Sequence, residues 1–262
     1  MLLFLGIQKI MEFLKKLKVE ENLLAKMKES ALFAVLLDPD SSDDDVFLKT
    51  GKMAFESKAD LILVGGSLVG NVNLPKKIEE LKKIINIPVI LFPGGSSQVV
   101  QGFDAMLFTC LVSGRNPQYL IEEQLKSGLI VKSIGLETLP TAYILINSGP
   151  ATSVEYISNT RAIPSNKPKI TKAHAIAAEL MGMRWVYLEA GSGAETPVPL
   201  EHITTTREAT NLNIIVGGGI TTPQDAKARV KAGASMIVTG TIWEKNMDAN
   251  LMKEFAEAVH GN

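Results

Sequence analysis

Tyr187 and Glu189, two positions apart in "YLEAGSGAETPVP" (187–199), are the pair in this sequence best suited to acid–base chemistry. In a strand, alternate residues share a face, so both side chains would point the same way. A glutamate at the carboxyl end of a strand can accept hydrogen bonds from substrate hydroxyls or act as a general base. It can also be a structural carboxylate bonded to backbone. Gly191 and Gly193 allow close approach of the main chain. Two further glycine-rich stretches, "VGGGI" (216–220) and "VTGT" (238–241), each end an apolar run. Their N–H groups, with a following helix N-terminus, suit a phosphate. "TTPQDA" after the first of them has the order of a cap, a proline in the first turn and a helix.

A second set of oxygen donors comes from "LLDPD" (36–40) and "VGGS" (64–67). Asp38 and Ser67 are hard ligands of the kind Mg²⁺ takes, with water and substrate phosphate completing the shell. Aspartate–proline is equally a common turn former. Asp40, Asp43, Asp44 and Asp45 fit a solvated helix start. Arg115, in "SGRNPQYL", could hold a second phosphate group by charge-assisted hydrogen bonds, or simply lie exposed near a helix start. His174, His202 and His260 fall in helical patterns without metal-ligand spacing.

The elements that must position these residues are eight apolar runs: 31–38, 59–66, 88–93, 105–112, 142–147, 185–190, 213–219 and 235–240. They are continuous rather than alternating, as expected of strands covered on both faces in a parallel sheet. Helical patterns separate most of them, which predicts an α/β fold, a (β/α)8 TIM barrel over residues 31–262. An open doubly wound sheet is the competing arrangement. One helix is missing. Between Phe92 and Ala105 stands "PGGSSQVVQGFD", room for a loop or a single turn. Either the connection is merely short, or the barrel's outer ring has a gap that something apolar must cover.

At 262 residues the chain suits one barrel, and no composition shift marks a second domain. A net charge of −1 gives no basic footprint, which argues against nucleic acid as a partner. Cys110 is the sole cysteine, so no internal disulfide forms and a reducing compartment fits. Residues 1–10 are apolar but lack a basic region and a cleavage site, and are too short to span a bilayer. The amphipathic stretch after them, within an N-terminal extension over 1–30, predicts a surface helix belonging to the same domain.

In order along the chain, "LLDPD", "VGGS", "LFPGGS", "FTCLVSGRNPQYLI", "SVEYISNTRAIP", "YLEAGSGA", "VGGGI" and "VTGT" resemble the geranylgeranylglyceryl phosphate synthase family, its second, larger-oligomer group. "YLEAGSGA" followed by "VGGGI" is the most specific part. "INSGPATS" (146–153) and the first thirty residues have no matching counterpart. The resemblance implies a barrel whose third helix is replaced by a short segment, leaving a groove for a prenyl chain, with Val99, Val100 and Phe103 lining it. It implies Mg²⁺-dependent alkylation of the C3 hydroxyl of sn-glycerol 1-phosphate by geranylgeranyl diphosphate, the first ether bond of archaeal-type lipids. Glu189 and Tyr187 would be catalytic. Tyr187, Leu188, Glu189, Ala190, Gly191, Ser192, Gly193, Gly218, Gly219, Gly240 and Thr241 would hold glycerol 1-phosphate. Asp38 and Ser67 would hold the metal and Arg115 the diphosphate. A cytoplasmic homo-oligomer, dimer or hexamer, is implied, with transient membrane contact and no membrane span. The rivals are an isomerase or aldolase of a small sugar phosphate and a non-catalytic phosphate-binding barrel. The first normally needs a lysine or histidine at a strand end, and the eight runs hold none.

Overall fold

The computed structural model describes residues 19–40, 44–70 and 73–261. The expectations for residues 1–18 and for Asp43 lie outside them. The eight strands are β1 (Leu32–Leu37), β2 (Leu61–Val64), β3 (Val89–Leu91), β4 (Ala105–Cys110), β5 (Glu137–Leu145), β6 (Trp185–Glu189), β7 (Asn213–Gly217) and β8 (Met236–Thr239). They pair in sequence order, all parallel, and β1 pairs with both β2 and β8, so the sheet closes into a barrel. Closure excludes the open doubly wound alternative.

Strand parity divides the apolar residues into two layers. Ala34, Leu63, Leu107, Tyr143, Tyr187, Ile215 and Val238 meet inside the barrel. Val35, Val64, Met106, Ile144, Leu188, Val216 and Ile237 face outward, under the helices. Both faces are buried, which is why the runs read as continuous. β5 begins five residues before its apolar run, because Thr138, Pro140 and Thr141 interrupt the hydrophobic signal without breaking the pairing of Phe108 with Pro140.

The described helices are α1 (Val19–Lys26), α2 (Asp44–Glu56), α3 (Leu74–Ile84), α4 (Glu123–Ile134), α5 (Ser153–Ser158), α6 (Pro168–Leu180), α7 (Leu200–Ala209), α8 (Pro223–Lys231), α9 (Thr241–Lys245) and α10 (Ala249–His260). A π-helical turn, Gln118–Glu122, runs into α4. Between β3 and β4 there is only a single 3₁₀ turn, Ser96–Gln98. Buried Gln98 fixes it: its amide accepts from Gly94 N–H at 2.9 Å and donates to the Gly66 carbonyl at 3.0 Å. The barrel therefore closes with its third helix absent.

The surface helix expected near the N-terminus is, in its described part, more than a surface element. α1 buries Val19 and Leu23 in the cluster that fills the barrel. Glu137, on β5, accepts from the N–H groups of Val19 and Glu20, both at 2.9 Å. Glu20 in turn takes the Arg184 guanidinium through two oxygens and the Trp185 indole N–H at 2.7 Å. The amino-terminal end of the barrel is thereby plugged, leaving the carboxyl end for function.

Asp60 ties three elements at that plugged end, meeting Phe33 N–H, His260 and Lys26 at 2.9–3.0 Å. Burial pushes its carboxyl up, but those bonds outweigh it and hold the group below the usual carboxylate range. Such a group stabilises the fold above the unfolded pKa and loses that contribution as pH falls through the lower folded value. Asp60→Asn should cost about 2–3 kcal/mol at pH 7. Urea denaturation at pH 7 and pH 3 checks this, with the gap between wild type and variant narrower at pH 3 than at pH 7.

Candidate active site

A cavity of about 960 Å³ opens at the carboxyl ends of the strands. Its inner lobe is built on β6. Tyr187 and Glu189 share the inward face, as their spacing requires, and both line the cavity. Glu189 is only 6% exposed. Burial raises its carboxyl to about 7, opposed by hydrogen bonds from Gly191 N–H and from the Tyr187 and Tyr143 hydroxyls. The Gly191 bond is 2.6 Å. Burial and the neighbouring Glu189 charge push both phenols well above their usual range, so they remain hydrogen-bond donors. Their rings pack with Phe92 at centroid separations of 5.0–5.9 Å. A carboxyl poised near neutrality, oriented by three fixed donors, is equipped to take a proton.

Gly218 shows why the seventh strand must end in glycines. Its φ is +81°, and a Cβ there would stand 2.3 Å from Glu189 Oε1. Only glycine permits that approach. Gly193, Gly219, Gly240 and Thr241 also line this lobe, and Ser192 Oγ meets Thr241 Oγ1 at 3.0 Å, joining the loops after β6 and β8. Thr222 caps α8 through Asp225 N–H, with Pro223 in the first turn, as "TTPQDA" predicts.

Three residues of the expected glycerol phosphate set do not line the cavity. Leu188 faces outward into the core under the helices. Ala190 is buried, its N–H given to the Gly217 carbonyl and its carbonyl taken by the Ser148 hydroxyl. Gly191 acts through Glu189 rather than lining the cavity. Strand parity explains Leu188, since neighbours of an inward residue face out.

Asp38 and Ser67 both line the cavity. A Cβ on Gly66, next to Ser67, would be 2.7 Å from Asp38 Oδ2. Among the described residues, no group of three His, Cys, Asp or Glu could hold a metal ion. Nor does any Lys or Arg line the cavity, while Asp38, Glu123, Glu189 and Glu244 do. Phosphates entering here would find backbone N–H groups and carboxylates. A divalent ion shared between Asp38, Ser67 and phosphate oxygens fits this donor set, because it would offset charge that no lysine or arginine offsets.

The expectation for Arg115 needs correction. It is exposed, does not line the cavity, and donates to the neighbouring carbonyls of Gly114 and Ser113. Val99, Val100 and Phe103 are also corrected. Val99 and Phe103 are buried in the outer core with Ile78 and Leu81, and Val100 packs against that core. After the 3₁₀ turn the chain folds onto α3, so these side chains fill the core on that side. The outer lobe of the cavity lies elsewhere, where outward-facing Met106 and Phe108 of β4 meet Tyr119, Gln124 and Ser127, with Phe92 to Ser96 along the other edge. It leads from Glu189 toward the flank that the third helix leaves uncovered.

Tyr143 was missed by sequence reasoning. Its signal was there: it lies in the apolar run 142–147 and pairs directly with Tyr187 across β5 and β6.

The PcrB family pattern matches residues 25–259. The chain belongs to the PcrB family. It is 43% identical over 244 residues to geranylgeranylglyceryl phosphate synthase of Korarchaeum cryptofilum, covering 93% of this chain and 99% of that one. It is 42% identical to the synthase of Chitinophaga pinensis, over 90% and 92% of the two chains. Among solved structures, the (S)-3-O-geranylgeranylglyceryl phosphate synthase of Thermoplasma acidophilum, in complex with sn-glycerol-1-phosphate, superposes with a TM-score of 0.88 at 30% identity. That match covers 92% of this chain and 98% of the other. Thiamine phosphate pyrophosphorylase of Pyrococcus furiosus, at 12% identity and a TM-score of 0.60, shares the fold alone. In this PcrB protein Arg115, expected to hold the diphosphate, lies outside the lining, and no basic side chain among the described residues lines the cavity.

An acceptor that must be ionised gives a rate rising with pH through its pKa, so kcat/KM should climb near pH 7. Tyr143→Phe removes a bond that favours the carboxylate, which raises the Glu189 pKa. The acid limb should move to higher pH, by about one unit. A pH–rate profile of both proteins checks this, and an unmoved limb would detach Tyr143 from Glu189.

Proposed function

We propose that this protein joins a prenyl diphosphate, geranylgeranyl diphosphate, to the C3 hydroxyl of sn-glycerol 1-phosphate, giving geranylgeranylglyceryl phosphate and diphosphate. The observation that carries this reading is one continuous cavity with two unlike lobes. The inner lobe, with glycine-rich loops and a buried carboxyl, suits a small phosphorylated polyol. The outer lobe, over the apolar outer face of β4, suits a hydrocarbon chain. Each buried methylene contributes about 0.8 kcal/mol, so a long isoprenoid gains much of its affinity there.

In this scheme Glu189 accepts the C3 hydroxyl proton while the hydroxyl oxygen bonds to C1 of the donor. The bond from C1 to the diphosphate oxygen breaks, and its electron pair leaves with diphosphate. The Gly191 N–H and the two tyrosine hydroxyls keep the carboxylate aimed during the transfer. Asp38 and Ser67 would hold Mg²⁺, which when bound neutralises charge developing on the leaving diphosphate. The activity of the synthases to which the chain is similar supports the reading. A sugar-phosphate isomerase or aldolase is disfavoured because no Lys or His lines the cavity among the described residues.

The proposed setting is the cytoplasm, as a homo-oligomer. Exposed Ile121, Leu125 and Leu129 along one helical face, and Leu180 and Met181 on another element, support a further contact. Among the described residues, no helix is long and apolar enough to cross a membrane.

The deciding experiment incubates the protein with labelled geranylgeranyl diphosphate and each glycerol phosphate enantiomer. Product from the sn-1 form alone supports the assignment, and no lipid product removes it. Glu189→Gln should lower kcat by about two to four powers of ten while leaving glycerol phosphate affinity within a few-fold. Asp38→Asn should raise the Mg²⁺ concentration needed for half-maximal rate by about tenfold, measured by titrating activity. Ser127→Trp should fill the outer lobe part-way, so the ratio of activity with ten- or fifteen-carbon donors to that with the twenty-carbon donor should rise. An unchanged ratio would move the prenyl chain out of this lobe.

A further inference from the structure

Lys77, on α3, is a buried cation that the scheme above does not use. It is 3% exposed, and no strand end or cavity wall includes it. Its Nζ donates to the Pro39 carbonyl at 2.7 Å and lies 2.7 Å from Asp44 Oδ1. The ammonium also stands 5.4 Å from the centre of the Phe47 ring, over its face. Pro39 immediately follows Asp38, and Asp44 opens α2. One side chain therefore grips the connection after β1 at both of its described ends.

We propose that Lys77 is the positioning residue for the Asp38 carboxylate, and through it for the cation-binding rim of the cavity. The inference rests on the metal reading of Asp38 and Ser67 given above. Two further contacts place the same connection. Asp40 N–H donates to Asp38 Oδ1 at 2.9 Å, and Asp40 Oδ2 accepts from Gly70 N–H in the loop that carries Ser67. Lys77 fastens the connection to α3 while Asp40 fastens it to the Ser67 loop. The metal donors then have a fixed separation before any ion arrives. That matters for Mg²⁺, which tolerates little departure from octahedral geometry.

Stability alone does not account for Lys77. Removing an ammonium from water is costly, and an apolar side chain of similar volume at such a site is often as stable or more so. What an apolar side chain cannot supply is a directed bond to the Pro39 carbonyl. Asp44 is 65% exposed, so its side of the ion pair contributes little to burial. The common effect of both contacts is the placement of the segment that carries Asp38.

The test uses the whole protein and Mn²⁺ as the probe, titrated by electron paramagnetic resonance with inorganic diphosphate present. Lys77→Met keeps length and apolar bulk and removes the directed bond. It should weaken Mn²⁺ binding about tenfold, leave the KM for glycerol phosphate within twofold, and raise the Mg²⁺ needed for half-maximal rate. Asp44→Asn, which removes only the exposed half of the grip, should give a smaller shift in the same direction. Unchanged Mn²⁺ affinity in Lys77→Met, with only a lowered melting temperature, makes Lys77 structural and overturns the proposal. Should Lys77→Met fail to fold, unchanged affinity in Asp44→Asn overturns it. Asp38→Asn separates the two readings. If it binds Mn²⁺ as wild type does, the metal reading fails and Lys77 falls with it. If it binds weakly while Lys77→Met is normal, the assignment of Lys77 alone is wrong.

Discussion

An ionised carboxylate inside an apolar barrel is unfavourable, and much of the architecture is organised around keeping one there. Lifting Glu189 from 4.5 to about 7 corresponds to about 3 kcal/mol of disfavoured ionisation at neutral pH. That penalty is bounded by Gly191 N–H and by two phenols that stay protonated. Each partner imposes a condition elsewhere. Gly191 requires the left-handed turn after β6, and Tyr143 requires β5 to run in register with β6 so that it pairs with Tyr187. Gly218 must lack a side chain, because the carboxyl occupies the place where one would be.

Charge compensation is the second condition. The cavity's described lining has four carboxylates and no basic side chain, so anionic ligands depend on backbone N–H groups and on whatever cation accompanies them. Glycine-rich strand ends supply the former without bringing in the long, flexible side chains that would crowd the lobe. This arrangement differs from a site built on arginine clamps, and on the proposed function a cation held at Asp38 and Ser67 would take a larger share in offsetting negative charge.

Much of this was legible in the sequence. Continuous apolar runs marked the barrel because parallel strands are buried on both faces. The two-residue spacing marked Tyr187 and Glu189 as a pair, and "PGGSSQVVQGFD" left no room for a third helix. Other features were not legible, for identifiable reasons. Val99 and Phe103 are apolar and near the gap, but composition does not distinguish a side chain packed into the core from one lining an open groove. Arg115 had the right charge, yet the path of its loop turns the guanidinium back on its own carbonyls. The docking of α1 through Glu137 and Glu20 depends on carboxylates separated by more than a hundred positions, a pairing no local pattern announces. Tyr143 sat in plain view within an apolar run, where a tyrosine passes for ordinary core.

The alternation along β4 bears on how the two lobes of the cavity could be altered. Leu107 points into the barrel, toward the chemistry, while Met106 and Phe108 point out, along the outer lobe. On the proposed function, changes to the outward pair or to Ser127 would reshape the space for the hydrocarbon without disturbing the tyrosines or the carboxyl on the other side of the same strand wall. Tail preference and bond-making chemistry would then be separable, each alterable by single substitutions that leave the other in place.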